Sequence, residues 1–348
     1  MEYIMKPRKK RAIGKYLLIF IVLFVFAGLT SLAWYGYNIS LVKGDAAQEF
    51  VIKEGQGANE ISRNLNEAGV IRSKLAFETY IYLRDIEGSI KAGKYQLPAT
   101  NIVNLTNALL QGPPPPETKL TFIEGWTLDD YSQELESIES ISSEEFLDIV
   151  SHPVSNGFDA ETYPILYSKS DKVDLEGYLF PDTYRLFEDA TAKELIKVMI
   201  GNLTNKVTKK MATDIDSQGK TFHEILTMAS IIEKEVRTDR DRKLVSGILW
   251  SRIDLGIPLQ VDSTVNYITG DSKPAVSLSE TRIDNPFNTY LYKGLPPGPI
   301  SNPGLSSIMA AIYPTESDYL YYLSTPEGET IFSKTLEQHN AAKNKYLR

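Results

Sequence analysis

The feature that most constrains this chain is an uncharged, apolar run near its N-terminus. The 22 residues from Tyr16 to Tyr37 include no Lys, Arg, Asp or Glu, and an α-helix needs about 20 residues to cross the hydrocarbon core of a bilayer. Tyr16 lies at one end and Trp34 and Tyr35 near the other, where aromatic side chains favour the membrane interface. The run predicts a transmembrane helix over 16–37.

The charges on either side of this run predict its orientation. Residues 1–15 carry six basic side chains and one glutamate, a net charge of +5, and because the whole chain sums to −8 the remainder carries −13. A basic flank stays in the cytoplasm. We therefore expect a single-pass protein of the cell membrane, with a cytoplasmic N-terminus and the rest of the chain outside the cytoplasm.

A cleavable signal peptide is the alternative interpretation of the same segment. Ser31-Leu32-Ala33 is a small-x-small triplet of the kind that a signal peptidase accepts. The apolar region of a signal peptide is about 7–15 residues long, which is shorter than the run found here. We therefore expect a retained anchor.

The first part beyond the anchor, residues 45–112, alternates between strand and helix patterns. The predicted elements are strand Phe50–Lys53, a helix that ends at Gly69, helix Lys74–Arg84, strand Ala92–Leu97 and helix Ile102–Leu110. The βααβ order resembles a LysM-like module, a small unit that binds glycan chains in other proteins, although a spacer domain without a ligand fits the pattern equally. The proline run that follows predicts a semi-rigid linker over 113–117.

Residues 118–348 mix helices with short strands and contain no repeating βαβ units. Helices are predicted at Asp129–Ser137, Glu144–Val150 and Ala192–Met211, and a hairpin at Tyr319–Ser324 and Thr330–Phe332. The fold class is therefore α+β, with a small first module and a larger second domain over 118–348.

Several kinds of chemistry are excluded by what the sequence lacks. There is no cysteine, and only three histidines, so disulfides, thiolate metal sites and cysteine nucleophiles cannot occur. His223-Glu224 begins a zinc-protease motif, but residue 227 is Thr where the second histidine would stand. We expect neither a metal nor a cofactor, and the acidic outer region argues against nucleic acid as a partner.

One helix carries a carboxylate on its apolar face. Thr221-x-x-Glu224 is a capping box that predicts a helix from Phe222 onward. On a helical wheel Glu233 falls inside the apolar face, whereas Lys234 points outward. The ionised form of a carboxyl group in such a place is poorly hydrated, so the group tends to keep its proton, which suits a general acid. In the alternative, Glu233 is structural and pairs with Arg237 at i+4.

Polar and aromatic residues elsewhere are candidates for a sugar-binding cleft. The loop Gly294–Gly304 is rich in Gly and Pro, and a rigid loop of this kind suits a cleft wall better than a core. Hydrogen-bonding groups beside aromatic rings suit a sugar chain. The candidate substrate-binding residues are Glu176, Tyr178, Asp182, Gln260, Asp262, Asn288, Tyr290, Gly298 and Asn302.

Six ordered motifs together resemble the YceG-like family of endolytic murein transglycosylases. They are LEGYLFPDTY, MASIIEKE, LQVDSTV, NPFNTY, GLPPGPISNPG and the terminal pair His339-Asn340 that follows Phe332. The resemblance implies cleavage of the MurNAc–GlcNAc β-1,4 bond of nascent peptidoglycan without water, which leaves 1,6-anhydro-MurNAc ends and terminates strands. It implies that Glu233 is the catalytic acid/base and that peptidoglycan synthases are partners.

Two other functions are compatible with these residues. The chain could be a non-catalytic, membrane-anchored scaffold that binds glycan, in which Glu233 is only structural. It could also be a hydrolase that makes reducing ends. A test of catalysis by Glu233 distinguishes the scaffold from an enzyme. The mass of the product distinguishes the hydrolase from a transglycosylase.

Overall fold

The computed structural model describes residues 10–40, 48–97, 101–113, 117–138, 141–187, 189–271, 273 and 275–347. Residues 1–9 of the predicted basic tail and 114–116 of the predicted linker lie outside the described residues. The chain divides into two compact units, Met1–Pro115 and Pro116–Arg348. Each unit is described by itself.

The N-terminal helix α1 spans Lys10–Ile39. Its stretch Lys15–Ile39 is long and apolar enough to cross a membrane, and the most apolar window of 18 residues within it is not buried in the protein. The prediction of such a helix over 16–37 is confirmed. The helix continues without a break through Ser31-Leu32-Ala33, the triplet considered as a signal-peptidase site.

The rest of the first unit has the predicted order of strands and helices. Its elements are β1 (Gln48–Ile52), α2 (Ala58–Glu67), α3 (Lys74–Leu83), β2 (Gly93–Leu97) and α4 (Ile102–Gln111). β1 and β2 pair antiparallel, and both helices between them pack their apolar faces into one core with the strands and α4. A LysM-like identity for this unit stays a prediction.

The second unit is a mixed α+β structure, which confirms the predicted class. Its elements are β3 (Glu117–Thr121), α5 (Leu128–Glu136), α6 (Ser143–Ser151), β4 (Thr183–Phe187), α7 (Ala192–Lys206), α8 (Lys209–Ser217), α9 (Phe222–Glu235), α10 (Asp239–Asp254), α11 (Asp262–Thr269), α12 (Leu305–Ile312), β5 (Tyr321–Ser324), β6 (Thr330–Ser333) and α13 (Leu336–Tyr346). β3 pairs with β4, and β5 with β6, in antiparallel ribbons.

One predicted helix boundary is wrong, and a threonine cap explains it. The single helix predicted over 192–211 is interrupted at Val207, because the hydroxyl of Thr208 accepts the Met211 N–H and starts α8. A side-chain oxygen that accepts from a free backbone N–H group sets this start.

Helix α9 lies at the centre of the second unit. Its predicted start is confirmed, since Thr221 and Glu224 form a reciprocal capping box. All eight residues from Ile225 to Ile232 are buried, because α8, α10, α11 and α12 pack around the helix. The sequence predicts that one face of the helix is buried, whereas in the structure all of its faces are buried up to Ile232. The helix is therefore a rigid support for Glu233 near its end.

We predict that Gly247→Ala destabilises the second unit. Gly247 on α10 lies so close to the backbone carbonyl of Thr315 that a methyl group would overlap the oxygen. Backbone cannot move away cheaply, so the free energy of unfolding should fall by about 1–3 kcal/mol. Chemical denaturation of the full chain in detergent, followed by circular dichroism, measures the change.

Gly201→Ala is the matched control, because a methyl group at this position of α7 would meet no atom within 4 Å. Alanine in a helix interior is favoured over glycine by about 0.5–1 kcal/mol, so this variant should be slightly more stable than the parent. Equal stability of the two variants would contradict the close approach at Gly247.

Candidate active site

Glu233 lies near the end of α9, where two other segments meet its carboxylate. Its Oε1 atom accepts a hydrogen bond from Nη2 of Arg242 on α10, at 3.1 Å, and the contact is also an ion pair. Its Oε2 atom accepts from the backbone N–H of Gly304, the N-cap residue of α12, at 3.0 Å. Only 6 % of the Glu233 side chain is exposed. Both oxygens are therefore held, and both donors favour the ionised carboxylate.

The ion pair differs from the one that the sequence suggested. The partner is Arg242 from the following helix rather than Arg237 at i+4. Arg242 is itself only 12 % exposed and also contacts Asp239 at 3.1 Å. A structural contact and a functional role do not exclude each other here, because a group that transfers protons to a bound substrate must be held in a fixed orientation.

The proline-rich loop that carries Gly304 is fastened to α9 one turn before Glu233. Ser230 is fully buried, and its hydroxyl accepts the Ile300 N–H at 3.0 Å. Its carbonyl oxygen accepts from the hydroxyl of Ser301 at 3.2 Å. The serine within MASIIEKE therefore positions the loop against the helix that carries Glu233.

Asn302 joins this loop to two further segments. Its backbone N–H donates to the carbonyl of Trp126, and its own carbonyl accepts from the Gly125 N–H, each at 2.8 Å. Its side chain donates to Oε1 of Glu176 at 2.9 Å and accepts from the Leu179 N–H at 3.1 Å. Three segments that are distant in sequence are therefore held side by side at the end of α9.

Glu124 is a second carboxylate at this site, and the sequence analysis missed it. It precedes Gly125, whose φ of +81° turns the chain beside Glu233. Its carboxyl lies against the Cα of Gly304, so closely that a methyl group there would overlap it. Partial burial raises the pKa of Glu124, the Glu233 charge raises it further, and Arg242 lowers it. Glu124 lies in a loop whose sequence has no helix or strand periodicity. Only its position before a possible turn glycine could have identified it as a candidate site residue.

Glu176 and Asn302, two of the candidate substrate-binding residues, are buried and hydrogen-bonded to protein groups. Their exposed fractions are 3 % and 0 %. Oε2 of Glu176 accepts the Leu128 N–H at the start of α5, at 3.1 Å, and burial raises the pKa of this carboxyl well above its usual range. Buried groups with all these partners cannot bind a sugar without losing them, so both residues position loops.

Tyr178, Asn288 and Gly298 are buried as well, and binding of substrate by them stays a prediction. The Tyr178 hydroxyl lies 2.9 Å from Nδ1 of His223, and Nε2 of the same ring lies 2.9 Å from the Pro297 carbonyl. A carbonyl can only accept, so Nε2 carries the proton and Tyr178 donates. Gly298 packs near the His223 ring. The amide of Asn288 donates to two backbone carbonyls. Tyr178 therefore supports the proline-rich loop through His223, whereas Asn288 holds its own segment, residues 281–288.

Gln260, Asp262 and Tyr290 remain accessible to solvent in part, and two of them are in direct contact. The Tyr290 hydroxyl donates to Oδ1 of Asp262. Gln260 accepts from Nη2 of Arg252 at 3.1 Å and has a φ of +53°, an uncommon conformation for a residue other than glycine. These three and Asp182 are the predicted substrate-binding residues that are accessible to solvent in this structure.

The side chain of Asp182 is hydrogen-bonded to neither group in the described residues. Asp182 immediately precedes β4 and accepts from the Asn202 amide at 3.0 Å and from the Thr183 N–H at 2.8 Å. The bond from Asn202 is the main cause that lowers the pKa of Asp182. Within the described ranges no hydrogen bond joins Asp182 to Glu233 or to Asp262.

An acidic cavity of about 370 Å³ adjoins Glu176. Its polar and aromatic lining includes Asp129, Asp174, Tyr267 and Phe287. Burial raises the pKa of Asp174. In the part of the chain that the structure describes, no group of three or more His, Asp or Glu side chains is placed to hold a metal ion.

The comparisons with known proteins agree with the motifs. A family model described as the YceG-like family matches residues 50–345. A Bacillus subtilis protein named endolytic murein transglycosylase is 33 % identical over 308 residues, which cover 85 % of this chain and 84 % of the relative. A Streptococcus pneumoniae protein of the same name is 33 % identical over 347 residues, 91 % of this chain but 63 % of the relative.

A solved structure has the same fold. The crystal structure of a yceG-like protein from Listeria monocytogenes superposes with a TM-score of 0.60 at 34 % sequence identity. The match covers 86 % of this chain and the whole of that one.

We predict that Asn302→Ala destabilises the second unit by about 3 kcal/mol, because it leaves a buried oxygen of Glu176 and the Leu179 N–H without a partner. Denaturation in detergent measures the loss. Asn202→Ala is the control, since it removes a hydrogen bond from the side-chain amide to the exposed carboxylate of Asp182. This variant should lower the free energy of unfolding by about 1 kcal/mol or less. Similar losses for both variants would show that Asn302 does not join the segments.

Proposed function

The chain belongs to the YceG-like family, and from this premise we propose that it cleaves the glycan strands of murein with Glu233 as its acid/base. The reaction class predicted from the sequence is confirmed by the family match and by relatives named endolytic murein transglycosylase. One observation supports the choice of Glu233 above all: its carboxylate is held through both oxygens, by Arg242 and Gly304, at the junction of the proline-rich loop with the loop of Glu124.

In the proposed reaction, Glu233 donates its proton to the oxygen of the MurNAc–GlcNAc β-1,4 bond, and the bond from C1 to that oxygen breaks. The C6 hydroxyl of the same MurNAc attacks C1, and Glu233 accepts the hydroxyl proton. The strand ends in 1,6-anhydro-MurNAc and no water is consumed. Because the sugar supplies the nucleophile, a second carboxylate acting as nucleophile or as base for water is not required, and neither is a metal or cofactor.

The predicted substrate-binding residues divide into two roles in this proposal. Gln260, Asp262 and Tyr290 contact sugar hydroxyls, because they are accessible and offer donors and acceptors beside an aromatic ring. The buried residues hold the wall of the cleft in place; they are Glu176, Tyr178, Asn288, Gly298 and Asn302. Asp182 is assigned to the outer part of the strand, because it is exposed and its side chain is not hydrogen-bonded to Glu233 in the described residues.

We further propose a single-pass topology in the cell membrane. The basic residues before α1 favour a cytoplasmic N-terminus, and the catalytic unit then lies on the outer side, where nascent strands are available. The βααβ unit binds glycan in this proposal, as its LysM-like order implies. Peptidoglycan synthases are the proposed partners, because termination of nascent strands takes place close to their synthesis.

Replacing the acid/base with its neutral isostere tests the assignment. Glu233→Gln should lower the release of anhydro-ended fragments from purified murein by about 100-fold or more, because general acid–base catalysis typically contributes 10²–10⁴-fold. Chromatography and mass spectrometry measure the fragments, and circular dichroism verifies the fold.

The matched control is Glu235→Gln in the same EKE triplet. Glu235 contacts Tyr322 rather than Arg242 or Gly304, so this variant should keep most of the activity. Undiminished release by Glu233→Gln would overturn the assignment and favour the scaffold. Products heavier by one water, with reducing ends, would identify a hydrolase instead.

The topology is tested by labelling, because the chain has no cysteine of its own. Arg8→Cys should resist a membrane-impermeant maleimide in intact cells, whereas Glu327→Cys in the exposed β5–β6 turn should react. The mature protein should keep residues before Trp34 and stay in the membrane fraction. Labelling at position 8 contradicts the orientation, and a mature N-terminus at Trp34 identifies a cleaved signal peptide.

A further inference from the structure

Helix α3 of the first unit is apolar on two opposite sides. Its inner side packs into the core with four side chains, which are Ala76, Phe77, Tyr80 and Ile81. On its outer side Leu75, Tyr82 and Leu83 are 61 %, 73 % and 71 % exposed, and their spacing places them with Thr79 on one face of the helix. A helix of this kind needs a second apolar environment besides the protein core.

The apolar helix α1 packs against α3 within the same unit. Tyr35 and Ile39 near its end contact the core of this unit. Arg72, which lies just before α3, donates from Nη1 to the Tyr37 carbonyl at 3.2 Å, and its guanidinium lies 4.5 Å from the centre of the Tyr37 ring. The end of α1 is therefore part of the packed structure of the first unit.

A shallow groove of about 690 Å³ lies between α1 and α3. It is lined by six uncharged residues, Thr30, Ser31, Trp34, Tyr35, Leu75 and Thr79. The four from α1 belong to the predicted span, residues 16–37. Thr30 precedes Tyr37 by about 10 Å along the helix axis, at 1.5 Å per residue. Because Leu75 and Thr79 border the same groove, they lie at the depth of the last two turns of the span.

We propose that α3 lies at the boundary between headgroups and acyl chains of the outer leaflet, and that the groove between α1 and α3 holds a phospholipid acyl chain. The inference rests on the proposed topology, in which α1 crosses the bilayer. Interfacial helices bury their apolar face by about 5–10 Å, which agrees with the depth of the groove. Lipid is the occupant because one wall of the groove is the membrane-spanning helix itself.

The charged side chains of α3 are compatible with this placement. Lys74 and Glu78 pair with each other at 3.6 Å beside the apolar face. Arg72 precedes the helix and Arg84 follows it, at positions where a guanidinium can pair with a lipid phosphate. Asp85 comes directly after Arg84 and opposes that attraction. We therefore expect apolar contact to contribute more than charge, so that a zwitterionic phospholipid is sufficient.

A depth measurement on the full chain tests the placement. The chain has no cysteine, so Leu75→Cys, Leu23→Cys in the span and Glu327→Cys in the exposed β5–β6 turn can each carry one nitrobenzoxadiazole label. The chains are placed in phosphatidylcholine nanodiscs, with or without a nitroxide on the acyl chains. Nitroxide lipid should lower the fluorescence at positions 23 and 75 about twofold, and it should leave the fluorescence at position 327 unchanged.

Filling the groove tests the acyl chain itself. Thr79→Trp places a large side chain in the groove, so the fraction of the full chain that retains a phospholipid in native mass spectrometry should fall severalfold. Leu83→Trp is the matched control, because Leu83 lies on the same exposed face but does not line the groove. This variant should retain lipid as the parent does, and circular dichroism verifies the fold of both.

The outcomes distinguish this inference from the proposed topology. If the label at position 23 is not quenched, α1 does not lie in the bilayer and the topology fails first. If position 23 is quenched but position 75 is not, α3 lies in water and the inference alone is overturned. Equal lipid retention by Thr79→Trp and Leu83→Trp overturns the acyl chain in the groove. A label at position 75 that neither lipid nor aqueous nitroxide reaches would show that protein covers the groove, which also overturns the inference.

Discussion

The site depends on the hydrogen bonds of one buried side chain and its backbone. Asn302 pairs with Gly125 and Trp126 through its main chain and with Glu176 and Leu179 through its amide. These bonds bring together the loop after β3, the loop before β4 and the proline-rich loop. Without them neither Glu124 nor Gly304 would have a fixed place beside Glu233. The chemistry therefore rests on loops, as is common, but on loops fixed by buried polar contacts.

Helix α9 supplies the rigid reference for this arrangement. Its middle is buried on every side, and Ser230 fastens the proline-rich loop to it one turn before the carboxylate. A buried serine with two partners is stable only where both are in place, because an unpaired polar group costs about 1–3 kcal/mol. The position of Glu233 relative to the loop is thus determined by the same packing that stabilises the unit.

Local signals explain what the sequence predicts well. The capping box at Thr221 and the apolar spacing after it locate α9, and they place Glu233 on its apolar face. Arg242 and Glu124 are different, because their contacts with Glu233 and with Gly304 cross from one element to another, and no periodicity or spacing encodes such a contact. Asn302 shows the same limit: its polarity in a proline-rich loop suggests a ligand contact, and only the fold shows that its partners are protein groups.

The proposed reaction and the geometry also agree on why water need not be the nucleophile. Only 6 % of the Glu233 side chain is exposed, and both of its oxygens have protein partners, so a group that exchanges a proton with it must be held at close range. The C6 hydroxyl is carried to C1 by the sugar ring itself, and well-oriented intramolecular groups reach effective molarities of about 10⁵–10⁸ M. An enclosed carboxyl beside a tethered hydroxyl therefore favours the anhydro product, and the protein's contribution is to orient one proton rather than to supply a second nucleophile.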